Sequence, residues 1–97
     1  MTNNQIIMNT KKQEAVINFR KAQTSIGKII KMIDEDKYCV DVMQQNMAVI
    51  GLLKSAHSKL MEGHLNSCFK NAMGTNNEKM KKEMIEEILK VSRLANK

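Results

Sequence analysis

Cys39, His64 and Cys68 are the residues of this chain best suited to chemistry. They stand in Tyr38-Cys39-Val40-Asp41-Val42-Met43 and in His64-Leu65-Asn66-Ser67-Cys68, and they include both cysteines and one of the two histidines. Thiolates and imidazole are soft, electron-rich donors of the kind that hold Cu(I) or zinc. Two sulfurs and one nitrogen make a three-coordinate set, which leans toward Cu(I), because zinc wants a fourth ligand or a water. The thiols bind deprotonated, so affinity should fall in acid. A thiol-reactive sensor is a further reading, since a neighbouring imidazole can activate a thiol. No oxyanion motif or substrate-pocket signature accompanies the set, so an enzyme is not expected.

The spacing dictates what must position these groups. His64 and Cys68 are four residues apart, which on a helix places them on one face, a turn from each other. Cys39 lies 25 residues before His64. At about 100° per residue it returns to nearly the same face, yet the axial rise is about 37 Å. Metal–ligand bonds are only about 2.0–2.3 Å long. One straight helix therefore cannot bring all three to a single ion. Two antiparallel copies can, each placing Cys39 beside the other's His64 and Cys68, in two sites related by a two-fold axis. A hairpin near Gly51 would instead fold Cys39 back onto its own chain's pair.

The elements read as helices throughout. The 97 residues contain no proline, nine methionines and 3% aromatics, and removal of the strongest helix breaker favours an all-α chain. Residues 1–10 are polar and aperiodic, a flexible N-terminal arm. Residues 11–97 form a single helical domain. Ala15, Phe19, Ala22, Ile26, Ile29 and Ile33 recur at heptad-like steps, the stripe of a helix packed on another helix. Asp34-Glu35-Asp36 ends it. A second helix is expected from about Tyr38 to Met73, with Met43, Met47, Ile50, Leu53, His57, Leu60 and His64 on one broad face. The methionines and His57 of that face read as packing residues. Gly74-Thr75-Asn76-Asn77 stops it, and a last helix follows from Glu78 toward Ala95.

The net charge is +6 and the pI is about 9.5, as expected of a small domain that meets nucleic acid or an acidic partner. Residues 11–33 alone carry net +5. The start of the chain lacks the apolar core of a signal peptide, and no run approaches the roughly 20 apolar residues of a membrane helix. The expected location is cytoplasmic, without a membrane partner.

At Met32–Cys68 the sequence resembles the copper-sensing repressors of the CsoR/RcnR family, with M-I-D-E-D-K-Y-C-V-D-V-M-Q-Q leading to G-H-L-N-S-C. The likeness extends from about Lys11 to Leu94. It implies three-helix protomers, an antiparallel dimer built as a four-helix bundle, and a dimer of dimers. It implies Cu(I), with zinc as second candidate, at Cys39 of one chain and His64 and Cys68 of the other. Tyr38 and Glu87 would then hold the free ring nitrogen of His64, orienting the imidazole. Nickel or cobalt sensors of the family differ in carrying His in place of Cys68. The implied function is repression of transcription, with operator DNA bound by the metal-free protein and released on Cu(I) binding. Lys11, Lys12, Arg20, Lys21 and Lys28 are the candidate DNA-binding residues. Asn18-Phe19-Arg20-Lys21-Ala22-Gln23-Thr24 departs from the family's arginine-rich segment. This keeps open a metal-binding module, a copper buffer or partner subunit, with weakened DNA binding.

Overall fold

The first helix meets no proline, and only Gly27 weakens its interior. In the computed structural model, which describes residues 3–95 and their side chains from 10 to 94, α1 spans Asn3–Asp34. The stretch expected as an arm therefore has helical backbone from Asn3 onward. Its Asn and Thr are weak helix formers but not breakers, and extending an existing helix is easier than starting one. Met1 and Thr2 lie outside the described residues.

The acidic turn after α1 is a Schellman motif. The Lys37 N–H donates to the Met32 carbonyl at 2.9 Å and the Asp36 N–H to the Ile33 carbonyl at 3.0 Å. Asp36 takes the left-handed conformation between them, with φ 56°, a role usually filled by glycine. Tyr38 then caps α2, Cys39–His64. Gly51 sits inside this helix without breaking it, so the hairpin that would join the three candidate ligands within one chain does not form. The rod continues through one wider π-helical turn, Leu65–Phe69, into α3, Lys70–Met73. Ser67 favours that turn: its hydroxyl is buried and donates to the Gly63 carbonyl at 2.6 Å, a back-bond that perturbs the regular ladder.

The rod stops at Gly74, whose φ of −79° is ordinary. Side chains, not a left-handed glycine, make the turn. The Thr75 hydroxyl donates to the Ala72 carbonyl at 2.8 Å, and Asn77 Oδ1 accepts the Met80 N–H at 3.1 Å. The latter is an N-cap that opens α4, Glu78–Ala95.

Lys11 meets Glu62 and Asn18 meets Ser55, so α1 and α2 are antiparallel. Their seam is built from small residues. Ala15, Ala22, Val49, Ala56 and Ala72 are the buried apolar side chains among those described. Small residues let the backbones approach closely but remove little surface from water. The heptad-like stripe of α1 therefore divides: its alanines close the seam, while Phe19, Ile26 and Ile33 remain exposed. The chain is a slab of 59 × 30 × 14 Å with a radius of gyration of 17.8 Å. A compact globule of this length would have about 13 Å.

Candidate metal centre and charged face

Cys39 is the first residue of α2, and its thiol is free and exposed. Tyr38 beside it is 69% exposed. His64 is the last residue of α2 and is half-buried; Cys68, free and exposed, follows within the π turn. The wider turn rotates each residue less than an α-helix does, which changes the angle between imidazole and thiol. Ser67 Oγ lies 3.8 Å from Cys68 Sγ. Among the described residues no three His, Cys, Asp or Glu side chains of one chain gather as a metal site. The unbroken helix explains this, since it keeps Cys39 about 37 Å from His64. The same distance forbids a disulfide within the chain, because bridged Cα atoms lie within about 7 Å. The chain thus carries a thiol at one end of α2 and an imidazole–thiol pair at the other.

Glu87 comes from α4 and lines a cavity of about 310 Å³ together with His57, Leu60, Met61, His64, Ile88 and Val91. Glu87 and His64 therefore share one space within a chain. Tyr38 does not; it belongs to the Cys39 end. The sequence signal for the other lining groups was their spacing, because His57, Met61 and His64 follow one another at four and three residues.

The basic residues divide into two groups. Measured from Ala15 at about 100° per residue, Arg20, Lys21, Lys28 and Lys31 fall on the side of α1 facing away from α2, and all four are exposed. Lys12 is exposed on a flank. Lys11 points inward instead. Its ammonium lies 3.3 Å from Glu62 and 3.5 Å from Glu14, and Lys59 reaches Glu14 at 3.3 Å. The hydrogen bond to Glu62 raises the Lys11 pKa. The hydrogen bond from Lys59, helped by the charge of Lys11, lowers that of Glu14. This network ties the start of α1 to the end of α2, two residues from His64, and was not anticipated from the sequence.

Residues 11–93 match the family described as metal-sensitive transcriptional repressor. The chain belongs to this family. Curated relatives carry the same theme in their names. The copper-sensing transcriptional repressor CsoR of Mycobacterium ulcerans is 38% identical over 63 residues, 65% of this chain and 54% of that protein. The copper-sensing transcriptional repressor RicR of Mycobacterium tuberculosis is 39% identical over 54 residues, 56% of each. CsoR of Bacillus subtilis is 28% identical over 65 residues, 66% of this chain and 64% of that protein. The chain spans about half the length of the mycobacterial relatives it matches. No solved structure matches it. The family is one of transcriptional regulators rather than enzymes, and every regular element among the described residues of this chain is helical. Among the described residues no helix is long and apolar enough to cross a membrane.

Proposed function

We propose that the chain is a Cu(I)-responsive, cytoplasmic transcriptional repressor, its residues 11–97 acting as one metal-sensing unit. The observation that carries this reading is the continuity of α2 between Cys39 and His64. Three soft donors on one helical face, held a helix length apart, form one site when two copies pair antiparallel. Cys39 of each chain then meets His64 and Cys68 of the other, in an arrangement with two-fold symmetry. The donor set fits the metal: both thiols are free and exposed, and thiolate with imidazole favours Cu(I) over harder ions. Zinc is the second candidate and would need a further ligand. Cu(I), when bound, supplies a cross-link between the two α2 helices.

Each residue has a distinct part. Cys39 donates from a helix start. His64 and Cys68 donate from the turn that Ser67 shapes. Glu87, sharing a cavity with His64, and Tyr38, arriving with Cys39 from the other chain, would hold the outer ring nitrogen and fix the imidazole. Arg20, Lys21 and Lys28 supply the DNA face, joined by Lys12, with affinity that falls as salt rises. Lys11 joins them only when it leaves Glu14 and Glu62. A dimer of dimers would repeat the face. Cross-linking favours a bundle geometry that holds DNA less well, and linkage makes the coupling reciprocal.

Titration of Cu(I) into an operator complex tests the function. DNA affinity should fall as metal fills the site, by a factor of about 5–150 for a typical coupling of 1–3 kcal/mol. Unchanged affinity would sink the proposal. X-ray absorption tests the site: a shell of two sulfurs and one nitrogen should lose a sulfur in Cys39→Ala. The pairing of Lys11 with carboxylates favours a second reading, a metal-binding module with weakened DNA binding. It predicts intact Cu(I) uptake and no salt-sensitive retention of DNA.

A further inference from the structure

We infer that the α2 seam holds a second, weaker Cu(I) site, formed by His57 and Met61 of one chain with Met43 of the partner subunit. The inference rests on the antiparallel pairing proposed above. Within one chain, His57 and Met61 stand four residues apart and line the same cavity, open between α2 and α4. An imidazole and a thioether so placed are two donors with one target, as a thioether is a soft ligand that selects Cu(I). The third donor comes from the other end of the helix. Met43 is one turn beyond Cys39 and is 57% exposed, so its sulfur is not spent on filling a core within the chain.

The symmetry brings these groups together. Met43 and Met61 are 18 residues apart, which is five full helical turns at 3.6 residues each, so they share one face. When Cys39 stands level with His64 and Cys68 of the partner subunit, a step inward from Cys39 reaches Met43. A step back from the partner's His64 reaches the partner's Met61 at the same height. A two-fold axis perpendicular to the helices keeps both on the same side of the seam. His57 also lies five turns from Cys39, which puts its ring on the seam one turn beyond Met61. The thioether pair therefore sits one turn inward from each thiolate site, with the imidazole a further turn inward. Two thioethers and one imidazole, without a thiolate, make this the weaker of the two Cu(I) sites. Its chemistry suits it to passing Cu(I) to and from the tighter site beside it, with no change in oxidation state.

Anaerobic competition with a Cu(I) chelator, on the full chain, tests this. The unaltered protein should take up one tight equivalent per chain and then one weaker equivalent. The M43L/M61L variant, which keeps side-chain volume, should retain the tight equivalent and lose the weaker one, with helix content and assembly size unchanged. If that variant misassembles, His57→Gln decides by the same readout. A protein that stops at one equivalent overturns the inference, as does a weaker equivalent that survives in the deciding variant. Absence of the tight equivalent from the unaltered protein would instead overturn the Cys/His/Cys site. The two failures are thus distinguishable.

Discussion

At the scale of single residues, the buried hydroxyl of Ser67 and the carboxylate of Glu14 both act at the C-terminal end of α2. Ser67 donates to Gly63 and stands beside Cys68. Ser67→Ala removes that hydrogen bond, at a cost of about 1 kcal/mol. It should also let the π turn relax toward α-helix, shifting Cys68 relative to His64. The expected outcome is a small loss of thermal stability with a larger loss of Cu(I) affinity by chelator competition. Equal stability and affinity would show that the hydroxyl has no part in the turn. Glu14 makes a different prediction. Its folded pKa is lowered by Lys59 and Lys11, so its contribution is present above the usual carboxylate pKa of about 4.3. That contribution is lost as pH falls through the lower folded value. The Lys11 shift has the opposite sign: its contribution is present below the usual lysine pKa of about 10.4 and disappears as pH rises through the folded value. Both groups remain partly open to solvent, so salt should weaken the effect. Glu14→Gln should flatten the acid limb of the stability–pH profile measured by denaturant. The ligand candidates could be read from residue type and spacing alone. The network could not, because it joins residues about 50 positions apart whose charges look like ordinary solvated ones until the helices are paired.

At the scale of elements, the caps explain why the helices end where they do. Asp36 occupies a left-handed position that costs most L-residues about 1–2 kcal/mol and costs glycine nothing. Asp36→Gly should stabilise the fold, by about 0.5–1 kcal/mol once the extra chain entropy of glycine is subtracted. A raised denaturation midpoint with unchanged slope checks it. Asn77 caps α4 through the Met80 N–H, and Asn77→Ala should cost about 1 kcal/mol. The loss should appear as faster amide exchange in α4 before the rest of the chain. Three helices, the acidic turn and the stop at Gly74 were all legible from periodicity and breakers. The π turn was not, because it follows from one serine's choice of hydrogen-bond partner inside an otherwise regular helix. The helical start of α1 was not legible for a related reason: polar composition lowers helix propensity without forbidding helix, and neighbouring turns decide.

At the scale of the molecule, the decisive fact is how little one chain buries. Its seam is alanine and valine, while Phe19, Ile26, Ile30, Ile33 and Leu53 face outward. Composition showed that enough apolar residues were present, but their division between a seam inside the chain and a seam between chains depends on the helix crossing. Exposed apolar side chains of this kind suit a partner, and the pairing proposed above would set a second copy against the same surface with two-fold symmetry. The pairing makes a specific prediction at its centre. If Cys39 stands level with His64 and Cys68 of the other chain, the axis passes near residues 52–53, and Leu53 of each chain meets its symmetry mate. Leu53 is 42% exposed in the single chain, so an isolated protomer should tolerate Leu53→Glu with a change of only about 0.5 kcal/mol. In the dimer the same substitution sets two carboxylates against each other in an apolar seam, where unpaired charge is strongly disfavoured. Sedimentation should then show dissociation of L53E at concentrations where the unaltered protein is paired. Tight Cu(I) uptake should fall with it, although Cys39, His64 and Cys68 are untouched and the nearest of them lies about 16 Å away along the helix. An L53E protein that remains assembled and binds Cu(I) normally would place the two-fold axis elsewhere. The cross-chain ligand set would then have to be given up, because the position of the axis and the membership of the site follow from the same alignment of helices.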